Sequence, residues 1–388
     1  MNQPQLQLNV DSKVFFFILA GGLGSRVMQS VFVRSLIRLR KQQKLESSPI
    51  LIVDNSIISS MIASSFSEQN VVSLNFPETP NQFPHHPGYL NVDGKLEHPI
   101  WVDAWRDGFK TYGGNASGSL HDLLDNNWDR AFSIDYSFSL TKKIHQCKYK
   151  NSKESFIANH FANAMGLEYD GGITALKVSQ YNDSVSSLTN KIEKPIVLIH
   201  LGMDLNSSDM MSPMNYRSFK VWSLQRWQEL VDSLKHKYQF VQIFANQFNP
   251  ELTDVLSLKV DNFNPVLQIL EHQKCKFFIS TDNYLPHLAS SIKKPGIVMW
   301  MGGGSPMVWG WSKEWHNVPH FHVYNLHSCD TNFCWRPGNF DVSNTGQSWI
   351  CEKNYRCGKS ITVDQILREV DKVENYIESS KTSQLISL

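Results

Sequence analysis

The sequence predicts an α/β protein built from two doubly wound domains, and three observations predict it. The chain has 388 residues, beyond the ~250–300 at which a single hydrophobic core stops growing. An apolar run, a glycine turn and an amphipathic helix follow one another from Lys13. The same alternation begins afresh at Pro195 and continues to Trp300. Strands alternating with helices imply a parallel sheet covered on both faces.

In the first half, Lys13 to Ala20 (K-V-F-F-F-I-L-A) is apolar throughout, as a strand buried on both faces requires. The glycines of Ala20 to Gly24 make a tight turn. Val27 to Gln43 follows as a helix, with Val31, Phe32, Ser35, Leu36 and Leu39 at helical spacing and Arg34, Arg38 and Arg40 polar. Pro49 to Val53 is the next strand, ending at Asp54. Residues 75–120 are irregular, a length that marks a functional or mobile insertion. Phe132 to Leu140 reads as a strand and Lys153 to Gly166 as a helix. The polar stretch 176–194 reads as the connection between domains spanning 1–185 and 186–388.

In the second half, Pro195 to Leu201 (P-I-V-L-I-H-L) is a strand. Leu224 to Tyr238 is a helix with Trp227, Leu230, Val231 and Leu234 on one face. Phe240 to Ala245, Cys275 to Ser280 and Gly296 to Trp300 are strands. Val266 to His272 and Tyr284 to Ile292 are helices, and Thr362 to Glu378 is an amphipathic helix.

Composition narrows the function classes. Net charge is +1, from 37 basic and 36 acidic residues, so nothing points to nucleic acid. No apolar run reaches the ~18 residues that span a bilayer. Val14 to Ala20 follows no basic segment and is cut short by glycine, so it reads as a buried strand rather than a secretory signal. The expected location is the cytoplasm, where thiols stay reduced. The 11 Trp serve either sugar stacking or a well-filled core.

Ligands of open parallel sheets bind beyond the carboxyl ends of the strands, and three loops there carry chemistry. Ser280 to Ser290 (S-T-D-N-Y-L-P-H-L-A-S) runs from a strand into a helix past Asp282 and Asn283. The free N–H groups of that helix start favour a diphosphate, while Asp282 can equally serve as an N-cap. His287 lies in the same segment, either as a ligand contact or as a structural residue. Lys220 stands just before the helix at Leu224, where an ammonium neutralises a phosphate; Trp222 and Trp227 read as packing residues. Asn246 and Glu251 follow a strand, and a carboxylate there suits ribose hydroxyls or the first turn of a helix. In the first half, Gly22 and Gly24 of A-G-G-L-G-S-R let a ligand approach the backbone beside Ser25, but the glycines lack the G-x-G-x-x-G spacing of a dinucleotide loop.

Cys329, Cys334, Cys351 and Cys357 form C-x4-C-x16-C-x5-C. In a reduced compartment this reads as a tetrahedral Zn or Fe site, with free thiols and disulfides as the alternatives.

These residues together resemble glycosyltransferase family nine, the ADP-heptose heptosyltransferases, most closely from Pro195 onward. Lys220-Val-Trp222 followed by Trp227-Gln-Glu229-Leu230 is similar to the family's K-x-W-x4-W-x-E-L pattern. Asp282-Asn-Tyr-Leu-Pro-His287-Leu-Ala is similar to its D-T/S-G-x-x-H-L-A motif, departing at Asn283 and Tyr284. Cys334-Trp335 and Trp349-Ile-Cys351 resemble the iron-binding cysteine finger of the branch that modifies bacterial autotransporter proteins. The resemblance implies two Rossmann-like domains in the GT-B arrangement with a C-terminal cysteine metal finger. It implies inverting, metal-independent transfer of a heptose-like sugar from a nucleotide diphosphate to a glycan, a lipid-linked glycan or a protein, by a chain compatible with homo-oligomers and with the periphery of the inner membrane. The family's base is an Asp in L/M-G-D; this sequence has Leu23-Gly24-Ser25. A serine has no basicity at neutral pH, so Asp103 and Asp107 of W-V-D-A-W-R-D-G are either the substitutes or solvated surface carboxylates, with His121 as another candidate. Two other readings share the fold: a nucleotide-sugar-binding protein without catalysis, and a nucleotide-sugar epimerase.

Overall fold

The computed structural model describes residues 12–19, 23–54, 57–75, 127, 130–133, 146–147, 150–202, 222–244, 251–260, 262–301, 304–327 and 356–386. The chain divides into two compact units, Met1–Lys143 with Ala158–Asp170, and Ile144–Ile157 with Gly171–Leu388.

The first unit opens with strand β1 (Phe15–Ile18), helix α1 (Leu23–Gln29), a 3-10 turn (Ser30–Phe32) and helix α2 (Val33–Gln42). Then come β2 (Ile50–Asp54), α3 (Ile57–Ser65), β3 (Val71–Asn75), β4 (Ala131–Ser133) and α4 (Ile157–Ala164). The sheet order is β3-β2-β1-β4, all parallel, with Phe15 opposite Ile50 and Phe16 opposite Ala131. Phe15, Phe16 and Phe17 are buried, as the unbroken apolar run predicts for a central strand. The helix after β1 begins at Leu23, earlier than the expected Val27. Gly24 and Ser25 therefore stand in its first turn, where N–H groups lack intrahelical partners and glycine disturbs least. Arg40, expected on a polar face, is instead buried; its guanidinium donates to the carbonyls of Ser48 at 2.8 Å and Gln69 at 2.9 Å.

The second unit contains α5 (Asp183–Lys191), β5 (Ile196–His200), α6 (Leu224–Leu234), β6 (Gln239–Phe244), β7 (Val255–Lys259), α7 (Asn264–Glu271), β8 (Cys275–Thr281) and α8 (Tyr284–Ser291). It continues with β9 (Gly296–Met299), α9 (Pro306–Trp309), α10 (Lys313–His316), β10 (His320–Val323), α11 (Arg356–Ser360) and α12 (Val363–Ile386). The stretch 176–194, expected as a bare connection, carries α5. That segment is fastened to α7: Asn182 N–H donates to Gln268 Oε1 at 2.8 Å and Ser179 N–H to Asn264 Oδ1 at 2.9 Å.

The six strands run parallel in the order β10-β9-β8-β5-β6-β7. Successive strands step one way from β5 and the other way from β8, so the order reverses between those two. That reversal is the topological switch point of a Rossmann-like sheet, where the flanking connections leave on opposite faces and a crevice opens beyond the strand tips. The core beneath joins Val197, Ile199, Phe240, Phe277 and Ile297 to Trp222 and Trp227 and to Ile366, Val370 and Val373 of α12. Trp222 and Trp227 meet edge to face at 5.3 Å and 81°, which bears out their reading as packing residues.

Candidate functional site

β8 passes into α8 through only two residues, Asp282 and Asn283. The helix cap is Asn283, not Asp282: Asn283 is extended, and its Oδ1 accepts from Leu285 N–H at 2.8 Å. The alternative that Asp282 serves merely as the cap therefore falls. Asp282 is buried to 9% exposure, its N–H donates to the Met299 carbonyl at 3.2 Å, and its carboxylate rests against Gly304 in the loop after β9. A Cβ at position 304 would come within 2.6 Å of Asp282 Oδ2, so only glycine leaves the carboxylate where it is.

Across the switch point, β5 ends at His200, opposite Ser280 of β8. His200 is 2% exposed. Its Nδ1 accepts from Gly202 N–H at 3.3 Å and lies 3.2 Å from Asn283 Nδ2. Tyr284 packs edge-on to the imidazole at 5.0 Å. His200 was not among the candidates from sequence. It sat inside a strand-like apolar run, and its partner Asn283 is 83 residues away.

His287 lies in α8, buried, where Trp311 Nε1–H donates to its Nδ1 at 3.0 Å. This ties it to a histidine–tryptophan layer behind the site. Trp300 Nε1–H donates to His322 Nδ1 at 2.9 Å, and His322 Nε2–H donates to the Trp311 carbonyl at 2.8 Å. His316 accepts from Ser312 N–H at 3.0 Å and packs on Phe156 and Trp311. Burial, with the proximity of His322 and Lys153 adding to it, pushes His316 down to about 4. It pushes His322 down to about 4 against the opposing pull of its bond to Trp311, and His320 well below the usual histidine value. His316, His320 and His322 are thereby held neutral.

Glu251 is exposed between β6 and β7. The reading that placed it at a helix start is replaced, because a strand follows it; V-L-S-L-K is β-branched only at Val255 and has one buried residue. Gly24 and Ser25 are in the first unit, in the first turn of α1. Gly22, Asp103, Asp107, His121, Lys220, Asn246, Cys329, Cys334 and Cys351 lie outside the described residues. Two residues after Lys220, Trp222 is fixed by a bond from its Nε1–H to the Ile361 carbonyl at 3.0 Å, which Arg226 Nη1 also reaches at 2.7 Å. Cys357 stands in α11, half-buried against the core, its carbonyl accepting from Ser360 Oγ at 2.7 Å. Among the described residues no group of three or more His, Cys, Asp or Glu is arranged to hold a metal ion, and no helix is long and apolar enough to cross a membrane.

No protein-family model matches the chain, and none of the curated proteins matches it. Solved structures do match. The iron-containing dodecameric glycosyltransferase TibC from enterotoxigenic E. coli is 16% identical, with a TM-score of 0.53 over 95% of this chain and 77% of that one. The same heptosyltransferase in complex with ADP-D-beta-D-heptose gives 13% identity and a TM-score of 0.53 over 95% and 78%. A glycosyl transferase of family 9 from Veillonella parvula is 11% identical, with a TM-score of 0.50 over 94% and 98%. The chain shares its fold with these glycosyltransferases, and the mixed α/β architecture with parallel sheets accords with the expected GT-B class.

Proposed function

We propose that the chain is a glycosyltransferase that takes a nucleotide-diphosphate sugar at the β5–β8 switch point of its second unit. The observation that carries the reading is the join of β8 to α8: a capped helix start, with Asp282 and His200 beside it, opens at the strand tips of a six-stranded parallel sheet. The first-turn amides of α8 and the Lys220 ammonium are suited to a diphosphate, and Asp282 to a donor hydroxyl. Asn246 and Glu251, in the β6–β7 connection, belong to the ribose side of the same reading. The sugar is heptose-like and the acceptor is a hydroxyl of a glycan, a lipid-linked glycan or a protein.

In the step proposed, the acceptor oxygen bonds to the anomeric carbon as the bond from that carbon to the diphosphate oxygen breaks, with inversion. The base proposed for the acceptor proton is a carboxylate, Asp103 or Asp107, because Ser25 cannot hold it. Lys220 and the α8 amides carry the charge left on the diphosphate, without a divalent ion. The four thiols Cys329, Cys334, Cys351 and Cys357 are proposed to hold a structural Zn or Fe away from this chemistry; elemental analysis of protein purified without added metal should find about one ion per chain. Cytoplasmic location and homo-oligomer formation complete the proposal.

The test is release of free nucleoside diphosphate from a panel of nucleotide sugars that includes ADP-heptose, with and without acceptors. Turnover that falls at least ~100-fold in Lys220→Ala and Asp282→Ala is expected, the scale of losing one charge-stabilising group. A second reading, a nucleotide-sugar-binding protein without catalysis, is favoured by Ser25; binding without turnover for every acceptor tried would select it.

A further inference from the structure

We propose that His200 is the positioning residue of the nucleotide-sugar site, an inference that rests on the reading just given. At a switch point the sheet supplies no bonds between the two loops that leave it, because their helices depart on opposite faces. Something else must fix the first residues after β5, Leu201 and Gly202, relative to the start of α8. His200 does so with one atom. Its Nδ1 receives the Gly202 N–H from the first loop at 3.3 Å and faces Asn283 Nδ2 from the second at 3.2 Å. Asn283 is the residue whose Oδ1 caps α8 through Leu285 N–H, so the imidazole sets the cap's orientation, and the cap sets which way the first-turn amides point.

The ring itself has little freedom. It is 2% exposed, follows the buried β5 residue Ile199, and is flanked edge-on by Tyr284, which leans on Phe263 at 4.7 Å. Both donors require Nδ1 to be a lone-pair acceptor, which places the ring proton on Nε2. Asn283 Nδ2 also reaches toward Thr281 Oγ1 at 3.5 Å, so the amide is oriented from two sides. His200 thus acts through Asn283 and Gly202 and is not assigned contact with the reacting atoms.

The test uses the full chain and measures affinity for ADP, UDP and GDP by calorimetry, with a thermal melt for each variant. If the wild-type protein binds none of the three, the donor-site reading itself fails and the inference with it. If it binds one, His200→Phe, which keeps the edge contact with Tyr284 but has no acceptor, should weaken that affinity roughly ten-fold, the scale of lost hydrogen bonds. His200→Asn, whose Oδ1 can take the place of Nδ1, should stay within about three-fold, while His200→Gln, whose amide falls near Nε2, should behave like Phe. Asn283→Ser keeps a cap and removes the Nδ2 donor; it should lose affinity as His200→Phe does, and the double variant should be no worse than either single one. Multiplied losses in the double variant, or unaltered affinity in His200→Phe, would overturn the assignment. Should the His200 variants fold poorly, Asn283→Ser alone decides: wild-type affinity there refutes the link.

Discussion

Mild acid should destabilise the second unit through its neutral histidines. His322 uses both ring nitrogens in the neutral form, Nε2 as donor to the Trp311 carbonyl and Nδ1 as acceptor from Trp300. A proton on Nδ1 would set two N–H groups against each other. His316 likewise accepts a backbone N–H and is wedged between aromatic rings. Both are pushed down to about 4 by burial, while in the unfolded chain histidine titrates near ~6.5. Above about pH 6.5 neither state binds the proton and the pair is neutral to stability. As pH falls below that, the unfolded chain takes up protons that the folded unit refuses, so stability is lost on acidification. At pH 5 each residue contributes a loss of ~2 kcal/mol, and the pair ~4 kcal/mol, against a typical total of ~5–15 kcal/mol. With ~2–4 °C per kcal/mol in a unit of this size, the melting temperature should drop roughly 10 °C between pH 7.5 and pH 5. Thermal melts followed by tryptophan fluorescence at fixed ionic strength measure it. The control is His322→Asn, whose Oδ1 still receives the Trp300 N–H. It should cost ~1 kcal/mol at pH 7.5 for the lost bond to Trp311, yet lose only about half as much on going to pH 5, so that the two stability curves cross. Parallel curves for wild type and variant, or a flat melting temperature across that range, would refute the reasoning.

Two further outcomes follow from packing. Gly304→Ala should weaken nucleotide affinity several-fold with a melting temperature within ~2 °C of wild type, because the new methyl would displace the Asp282 carboxylate and press on Trp300 without demanding a special backbone conformation; unaltered calorimetric affinity would show that Asp282 is not held for the ligand. Trp222→Phe should lower stability by ~2 kcal/mol, combining the lost bond to Ile361 with a small cavity, and a melting temperature shifted by under ~1 °C would count against it.

The strands that could be read from sequence are the ones buried on both faces. Phe15–Ile18, Ile196–His200 and Cys275–Thr281 have no polar face to confuse the pattern, and each was placed within a few residues. The strands that escaped are edges: V-V-S-L-N of β3 closes one side of the first sheet, V-L-S-L-K of β7 is mostly half-exposed or exposed, and H-F-H-V of β10 looks polar although its histidine rings pack on Phe278 and Trp300 and reach the Trp311 carbonyl. Local sequence carries no trace of such partners. The β8–α8 join was legible because strand, turn and helix there are contiguous. His200 was not, since its role exists only once β5 and β8 lie side by side.

The departure of Asn283 and Tyr284 from the Thr/Ser-Gly of the family this chain resembles is chemically self-consistent. Asparagine caps a helix as well as serine or threonine does, and here it caps α8. Its amide also brings N–H donors that reach His200 and Thr281. A tyrosine in place of glycine would crowd a ligand if its ring stood out from the strand tips, but Tyr284 is 6% exposed, packed down on His200 and Phe263. On the proposed reading the groups offered to an anion are backbone amides, and these are indifferent to side-chain identity so long as the cap holds and the first turn stays clear. A motif compared letter by letter counts two losses at positions 283 and 284. Compared by what each group donates and where it packs, the same two residues keep the helix start intact and supply the lock that ties it to β5.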